Sequence, residues 1–283
     1  MSINASASVC SLALLPSGFL ASGINNNKFE TNICNTTTGT EIRTLTGHTS
    51  IAWALAVLPN GYLASGSWDK TIKIWDTTTG SDKGTLSGHT DYVRALAVLP
   101  NGHLASGGGG IDRTTKIWNI TDGTLIKNIT GHTGGVWSLA VLPNGCLASG
   151  SSDKTIRIWN TTTGSEIRTL TGHNGTVLSL AVLPNGYLAS GDLIGVIRIW
   201  NADIGTVIRN LTGHTGVVRS LAVLPNGYLA SGSDDTTIKI WDTTTGSEMR
   251  NLTGHSSEVL SLAVLANGYL ASGSWDKTIK IWN

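Results

Sequence analysis

Histidine, serine, aspartate and tryptophan recur together along this chain at nearly fixed spacing. His48, Ser65, Asp69 and Trp75 form one set, and His89, Ser106, Asp112 and Trp118 a second. His132, Ser149, Asp153 and Trp159 follow, then His214, Ser231, Asp235 and Trp241, and finally His255, Ser272, Asp276 and Trp282. These are the residue types of nucleophilic acyl transfer, where an acid orients a histidine that takes the proton from a serine. An active site needs one such set, with an oxyanion hole and a substrate cleft beside it. Five copies in 283 residues argue for another use. The alternative is a buried hydrogen-bond relay. In it Asp accepts from His or nearby amides, His contacts Ser, and Ser meets the indole N–H of Trp. Buried polar groups must be paired, and breaking one link costs about 1–3 kcal/mol. Which serine of each Ser-Gly-Ser takes part is open at this level.

Two units break the pattern. Ile194 stands at the Asp position of the fifth, although His173, Ser190 and Trp200 remain. In the first, Ala5, Lys28 and Cys34 replace His, Asp and Trp. Units one and five are therefore expected to be the loosest. Other chemistry finds little support. Cys10, Cys34 and Cys146 offer no Cys-x-x-Cys pair, so neither a zinc nor a redox site is expected. Gly108-Gly109-Gly110 is not followed by Gly-Lys-Ser/Thr, which argues against a phosphate loop. No metal, cofactor or catalytic residue is expected, and the three scattered cysteines suggest reduced thiols in an intracellular setting, the cytoplasm first and the nucleus as the alternative.

Composition narrows the partners. The chain is 40% hydrophobic and 13% charged, with 19 basic against 18 acidic residues. That supports a sizeable core and disfavours nucleic acid or anionic membrane held by a broad basic field. Nor does any run of eighteen apolar residues suggest a span of a bilayer.

The elements that must position these residues come from a repeat. Gly-His recurs at His48, His89, His132, His173, His214 and His255. A Leu-Ala-Val-Leu core recurs in step, with a variant at Leu12, so that seven units cover residues 1–283 as a single domain. Each unit reads as four short strands: an apolar Val-x-Ser-Leu-Ala-Val, then Tyr-Leu-Ala-Ser-Gly, then Ile-Lys-Ile-Trp, then Glu-Ile-Arg-x-Leu. Pro-Asn-Gly between the first two reads as a two-residue hairpin turn, with Asn and Gly both at positive φ. Four such strands cannot bury both faces alone. Seven sheets packed face to face about an axis can, with the most apolar strand innermost, which predicts an all-β, seven-bladed propeller.

Gly-His, Leu-Ala-Ser-Gly-Ser-x-Asp and Ile-Lys-Ile-Trp-Asp closely resemble the WD-repeat family, with Trp-Asn replacing Trp-Asp at Trp118, Trp159, Trp200 and Trp282. The resemblance implies a rigid platform for partner proteins, usually without catalysis. It also implies that the relay locks the Asp turn onto the Gly-His loop, both on one face, called the top. Positions beside these loops commonly supply contacts in that family. Here they hold Trp53, Tyr92, Arg94, Trp137, Arg219 and Glu258 near the start of the innermost strand, and Trp68, Asp234 and Trp275 before the Asp. Aromatic residues and Arg dominate binding hot spots. These nine residues are the expected contact set for a protein or peptide partner, the alternative being that some of the Trp side chains plug the central channel. A further alternative is that the chain is the sensing or regulatory portion of a larger multidomain signalling protein.

Strand counting leaves one difficulty. The last unit stops at Trp282-Asn283, closing its third strand, and Met1 to Ser8 count as too few to supply a full fourth. The expectation is a last blade lacking its outer strand, whose open edge would favour self-association.

Overall fold

The structure is a computed structural model describing residues 1–283. It contains 28 strands and no helix. They form seven four-stranded antiparallel sheets, each built from strands consecutive in the chain except the last. Blade one comprises Ser8–Leu14, Leu20–Asn25, Thr31–Cys34 and Glu41–Leu45. Blade two comprises Ala52–Val57, Leu63–Ser67, Thr71–Trp75 and Asp82–Ser87, and the pattern repeats through blade six. The innermost strands of neighbouring blades contact one another around the ring, and blade one meets blade seven in the same way.

Blade seven has its fourth strand, which corrects the expected count. Ser2–Asn4 pairs antiparallel with Thr278–Trp282, with Ile3 opposite Ile279. Two further backbone bonds, Ile281 N–H to Met1 O (2.8 Å) and Ala5 N–H to Lys277 O (2.8 Å), carry the pairing along the whole partner strand. Three residues suffice because only one must be buried. Ile3 occupies the place of Leu86 in blade two and joins Val9, Leu20 and Ile279 in the core between blades seven and one. The third strand of the last blade is thus covered, and an open edge there no longer argues for self-association.

The cores lie between blades. Trp75 is buried against Ala21, Ile33 and Leu45 of the preceding blade. The glycine of Leu-Ala-Ser-Gly is where neighbouring sheets approach most closely: a Cβ on Gly66 would lie 2.7 Å from Cγ1 of Val93 in the next blade. The first hairpin differs from expectation. Leu58 O accepts from Gly61 N–H (2.9 Å), and Leu58 N–H donates to Tyr62 O (2.8 Å). Gly61 alone adopts positive φ, at 83°. Pro59 is already fixed for the second position of a type I turn, so Asn60 completes that turn and the glycine takes the left-handed bulge position.

One irregularity matters for function. Each innermost strand carries a register shift near its start, at Cys10, Trp53, Arg94, Trp137, Leu178, Arg219 and Leu260. A bulge leaves one residue unpaired and re-aims its side chain. Here all seven converge on the axis, where they line a cavity of about 210 Å³.

Candidate functional site

The relay is present. In blade two, Trp75 Nε1–H donates to Ser65 Oγ (2.7 Å), Ser65 Oγ lies 2.7 Å from His48 Nε2, and His48 Nδ1 lies 2.7 Å from Asp69 Oδ2. The serine oxygen thus links the indole to Nε2, and the Nδ1 side of the ring faces the Asp69 carboxylate. Asp69 also accepts from Thr49 N–H (3.0 Å) on the Gly-His loop and from Thr71 N–H (2.9 Å) beyond its own turn. One carboxylate therefore ties the two top-face loops together. The second serine makes different bonds. Ser67 Oγ donates to Ser50 O (2.9 Å) and accepts from Asp69 N–H (3.0 Å).

The same geometry recurs at His89–Asp112 (3.1 Å) with Ser106 and Trp118, and at His132–Asp153 (2.7 Å) with Ser149 and Trp159. It recurs at His214–Asp235 (2.6 Å) with Ser231 and Trp241, and at His255–Asp276 (2.7 Å) with Ser272 and Trp282. Burial works against the charge on Asp276, yet bonds from Thr278 and His255 outweigh it and hold the carboxyl down at about 2. Asp69, Asp112, Asp153 and Asp235 are likewise held below the ordinary carboxylate range. For His214 and His255 burial outweighs the Asp, lowering their pKa and keeping the rings neutral. Every relay serine, Ser65, Ser106, Ser149, Ser190, Ser231 and Ser272, is 0% exposed. A nucleophile that no substrate can touch is not a nucleophile, so the relay is framework.

Blade five corrects the sequence reading. Its relay is complete, because Asp192 supplies the carboxylate that Ile194 cannot. Asp192 Oδ2 lies 2.7 Å from His173 Nδ1, and Oδ1 accepts from Val196 N–H (2.9 Å) and Ile194 N–H (3.1 Å). Asp192 takes the place of the second serine, which in blade two already borders the same loop. A longer side chain from there reaches the histidine. The signal is Ser-Gly-Asp in place of Ser-Gly-Ser, two residues ahead of the usual Asp position. Blade one has no relay. Asn26 organises its turn instead, accepting from Lys28 N–H (3.0 Å), while Cys34 Sγ approaches Leu20 O (3.6 Å).

The nine top-face residues divide into two groups. Trp53, Arg94 and Trp137 are bulge side chains at the axis. The Arg94 guanidinium lies between the faces of Trp53 (3.9 Å to the ring centre) and Trp137 (4.2 Å), is 8% exposed, and its Nη1 has no hydrogen-bond partner. Burial, with Arg219 adding repulsion, pulls its pKa down to about 9. Trp53 stacks on Trp68 (5.3 Å, 9° between planes), Trp68 meets Tyr92 (5.7 Å), and Tyr92 meets Trp137 (6.3 Å). Trp137 Nε1–H donates to Ser152 Oγ. This half of the mouth is a continuous aromatic plug around one cation.

The other residues are more open to solvent, Arg219 included although it too is a bulge side chain at the axis. Trp68 is 40% exposed and Trp275 42%. Arg219 and Asp234 form a two-pronged pair (2.8 and 2.7 Å), and Glu258 is half-buried with Ser257 Oγ donating to it. The position before the Asp also exposes Ile111 (75%) and Leu193 in blades three and five. Both fall outside an expected contact set weighted toward aromatics. The Gly108–Gly110 insertion lies tight beneath this face. A Cβ on Gly109 would overlap the Tyr92 ring, and Asp91 Oδ2 accepts from Ile111 N–H (3.0 Å). No group of three or more His, Cys, Asp or Glu side chains is placed to hold a metal ion.

A fold of seven such blades, each but the first locked by a loop-tying relay, defines a repeat propeller, and the family comparison agrees. The family described as WD domain, G-beta repeat matches residues 39–76, 80–119, 123–160, 164–201, 205–242 and 246–283. The chain belongs to that family, whose members are typically non-catalytic and commonly serve as scaffolds for protein interactions. Comparison with curated proteins gave no match.

Proposed function

We propose that this protein is a non-enzymatic platform that binds a partner protein or peptide through its top face. The observation that carries the reading is the set of large apolar side chains held in solvent around the channel mouth: Trp68, Ile111, Leu193 and Trp275. Large apolar side chains held exposed on a rigid scaffold are candidate hot-spot anchors. The six relays supply the rigidity, fixing the loops before any partner arrives, so little ordering entropy opposes binding. Arg219, Asp234 and Glu258 form the polar rim. Trp53, Arg94 and Trp137 support the surface from below. We place the protein inside the cell, where Cys10 and Cys34 remain thiols.

The test is the double variant Trp68→Ala/Trp275→Ala, used as bait beside the unaltered protein in affinity purification. A partner captured by the parent should bind the variant at least about thirtyfold more weakly, two hot-spot residues being worth some 2 kcal/mol or more. The variant should stay folded, its melting temperature lowered only by the loss of the Trp68 stack on Trp53. Equal binding by both baits would remove the top face from consideration.

A further inference from the structure

The outer strands carry a second periodic device. Two residues before the buried apolar residue of each fourth strand stand Met1, Arg43, Gly84, Lys127, Arg168, Arg209 and Arg250. The arginines lie across the boundary to the next blade. Arg43 Nη1 donates to Thr79 O (2.8 Å), and Arg209 donates to Thr245 O (2.9 Å) and Thr244 O (2.8 Å). Arg168 reaches Ile204 O (3.4 Å), and Arg250 reaches Asn283 O (3.1 Å). Their stems cover the glycine that ends the neighbouring turn. A Cβ on Gly80 would meet Arg43 Cδ at 2.9 Å, and one on Gly205 or Gly246 would meet Arg168 or Arg209 equally closely. Lys127 covers Gly164 likewise, and Met1 with Ile3 covers Gly39.

Between blades two and three that side chain is missing. Gly84 has nothing within 4 Å of where its Cβ would be, and Gly123 meets only Leu86, at 3.4 Å. The result is a groove of about 720 Å³ on the side opposite the relay loops. The carbonyl that an arginine would cap is that of Asp122, and the turns of the other blades place Thr38, Thr79, Thr163, Ile204 and Thr245 at this position. So the slot that no side chain fills is also the one bearing a carboxylate where a cation would dock. Hydrogen bonds from Thr124 to Oδ1 hold that carboxyl below its ordinary range, in the ionised form, while Oδ2 accepts from Asn119 Nδ2 (3.0 Å) and keeps a lone pair for a second donor. Lys83, on the groove wall, is turned to Asp76 (3.6 Å) and to the Tyr62 ring.

We propose that this groove receives an arginine side chain of a partner segment. The stem would lie over Gly123 and the guanidinium would reach the Asp122 carbonyl, as the chain's own arginines reach the matching carbonyls in the sister slots, and would meet the Asp122 carboxylate besides. A guanidinium suits the place because its planar fork binds two acceptors at once. The site is separate from the top face and would bring a second contact to the same or another partner.

The test uses the full chain, amide-resolved NMR, and acetyl-Gly-Arg-Gly-amide as probe. A single side chain should bind at millimolar concentration, on the order expected for so small a contact. Saturable shifts are expected at Gly84, Thr85 and Gly123 and not at Gly164 or Gly205. The citrulline peptide, uncharged at the same shape, should produce none. Asp122→Thr restores the residue of the sister turns, so folding is preserved, and should weaken binding by about tenfold. Trp68→Ala/Trp275→Ala should leave the response intact, which separates this site from the top face. Equal shifts at Gly205, equal binding of citrulline, or an unchanged affinity in Asp122→Thr would overturn the proposal.

Discussion

Asp192 provides the sharpest test of the relay. Its side chain is 0% exposed, and it accepts from His173 and from two turn amides, those of Ile194 and Val196. Asp192→Ala would strand all three donors. Leaving a buried donor unsatisfied costs about 1–3 kcal/mol, so three donors give about 3–9 kcal/mol. Part of that can be recovered here. Arg198 Nη1 lies 2.9 Å from His173 Nδ1 and can donate to it once the carboxylate is gone. The lower end, about 3 kcal/mol, is therefore expected, and for a chain of this length that is about 5 °C in melting temperature. The informative companion is the double variant Asp192→Ser/Ile194→Asp. It rebuilds the arrangement of blade two, where Ser67 precedes Asp69. The backbone is ready for it: Gly195 has φ 85°, beside 72° for Lys70 at the same place in blade two. The double variant should regain most of the lost stability, giving a favourable coupling of about 2 kcal/mol in a double-mutant cycle with the single variants Asp192→Ser and Ile194→Asp, read by urea denaturation. Asp192→Ala within about 0.5 kcal/mol of the parent, the scatter of surface substitutions, would refute the reasoning. So would a double variant as unstable as Asp192→Ala.

Acid should act on all six relays together. Their aspartates have folded pKa values below the unfolded value of about 4, so their contribution is complete above that value and is lost as pH falls through the folded ones. His173, His214 and His255 are also lowered, so the unfolded chain binds more protons and stability should rise with pH up to about 6.5. Thermal melts from about pH 2 to 8 check both signs; a flat profile below about pH 4 would contradict them. Ile3→Ala should cost about 2–4 kcal/mol through loss of a buried side chain at the ring closure, read from the urea midpoint, whereas Met1→Ala, exposed, should cost little. Arg94→Met should leave stability unchanged or raise it by about 1–2 kcal/mol, because the buried guanidinium has no carboxylate partner. A loss above about 2 kcal/mol would mean that the Trp53–Arg94–Trp137 sandwich outweighs the cost of burial.

Repetition makes most of the architecture legible. Leu-Ala-Ser-Gly and the third-strand Trp recur because each unit must fill the same space between sheets. What fails to show are features lying outside one column of the repeat. Asp192 is hidden because two neighbouring positions can reach one histidine, and only the outer one is occupied in the other blades. The closing strand is hidden because three residues have no periodicity, and the single apolar one, Ile3, carries all the information. At Pro59-Asn60-Gly61 the Asn-Gly pair points to one turn, whereas a longer loop with Gly61 alone at positive φ forms, and it forms equally in blade seven with Ala266 in place of the proline. The burial of Arg94 arises only when seven bulges meet at an axis, a relation that no single unit contains.

The copies and the exceptions answer to different physical demands. A position filled identically in every blade is satisfied by its neighbours within the ring, as the buried serines are. It then has nothing left for an outside molecule. A position that departs from the repeat leaves a neighbour unsatisfied unless another residue steps in. At Ile194 one does, because Asp192 completes the relay. Met1 and Ile3 do the same for Gly39 at the ring closure. At Gly84 none does, so the Gly123 turn stays uncovered and the Asp122 carbonyl uncapped. The same reasoning separates Trp75, committed to Ser65 and the core, from Trp68 and Trp275, whose outer faces have no neighbour. Uncompensated departures, rather than the abundant histidines and serines, are where this ring retains interactions to offer a partner.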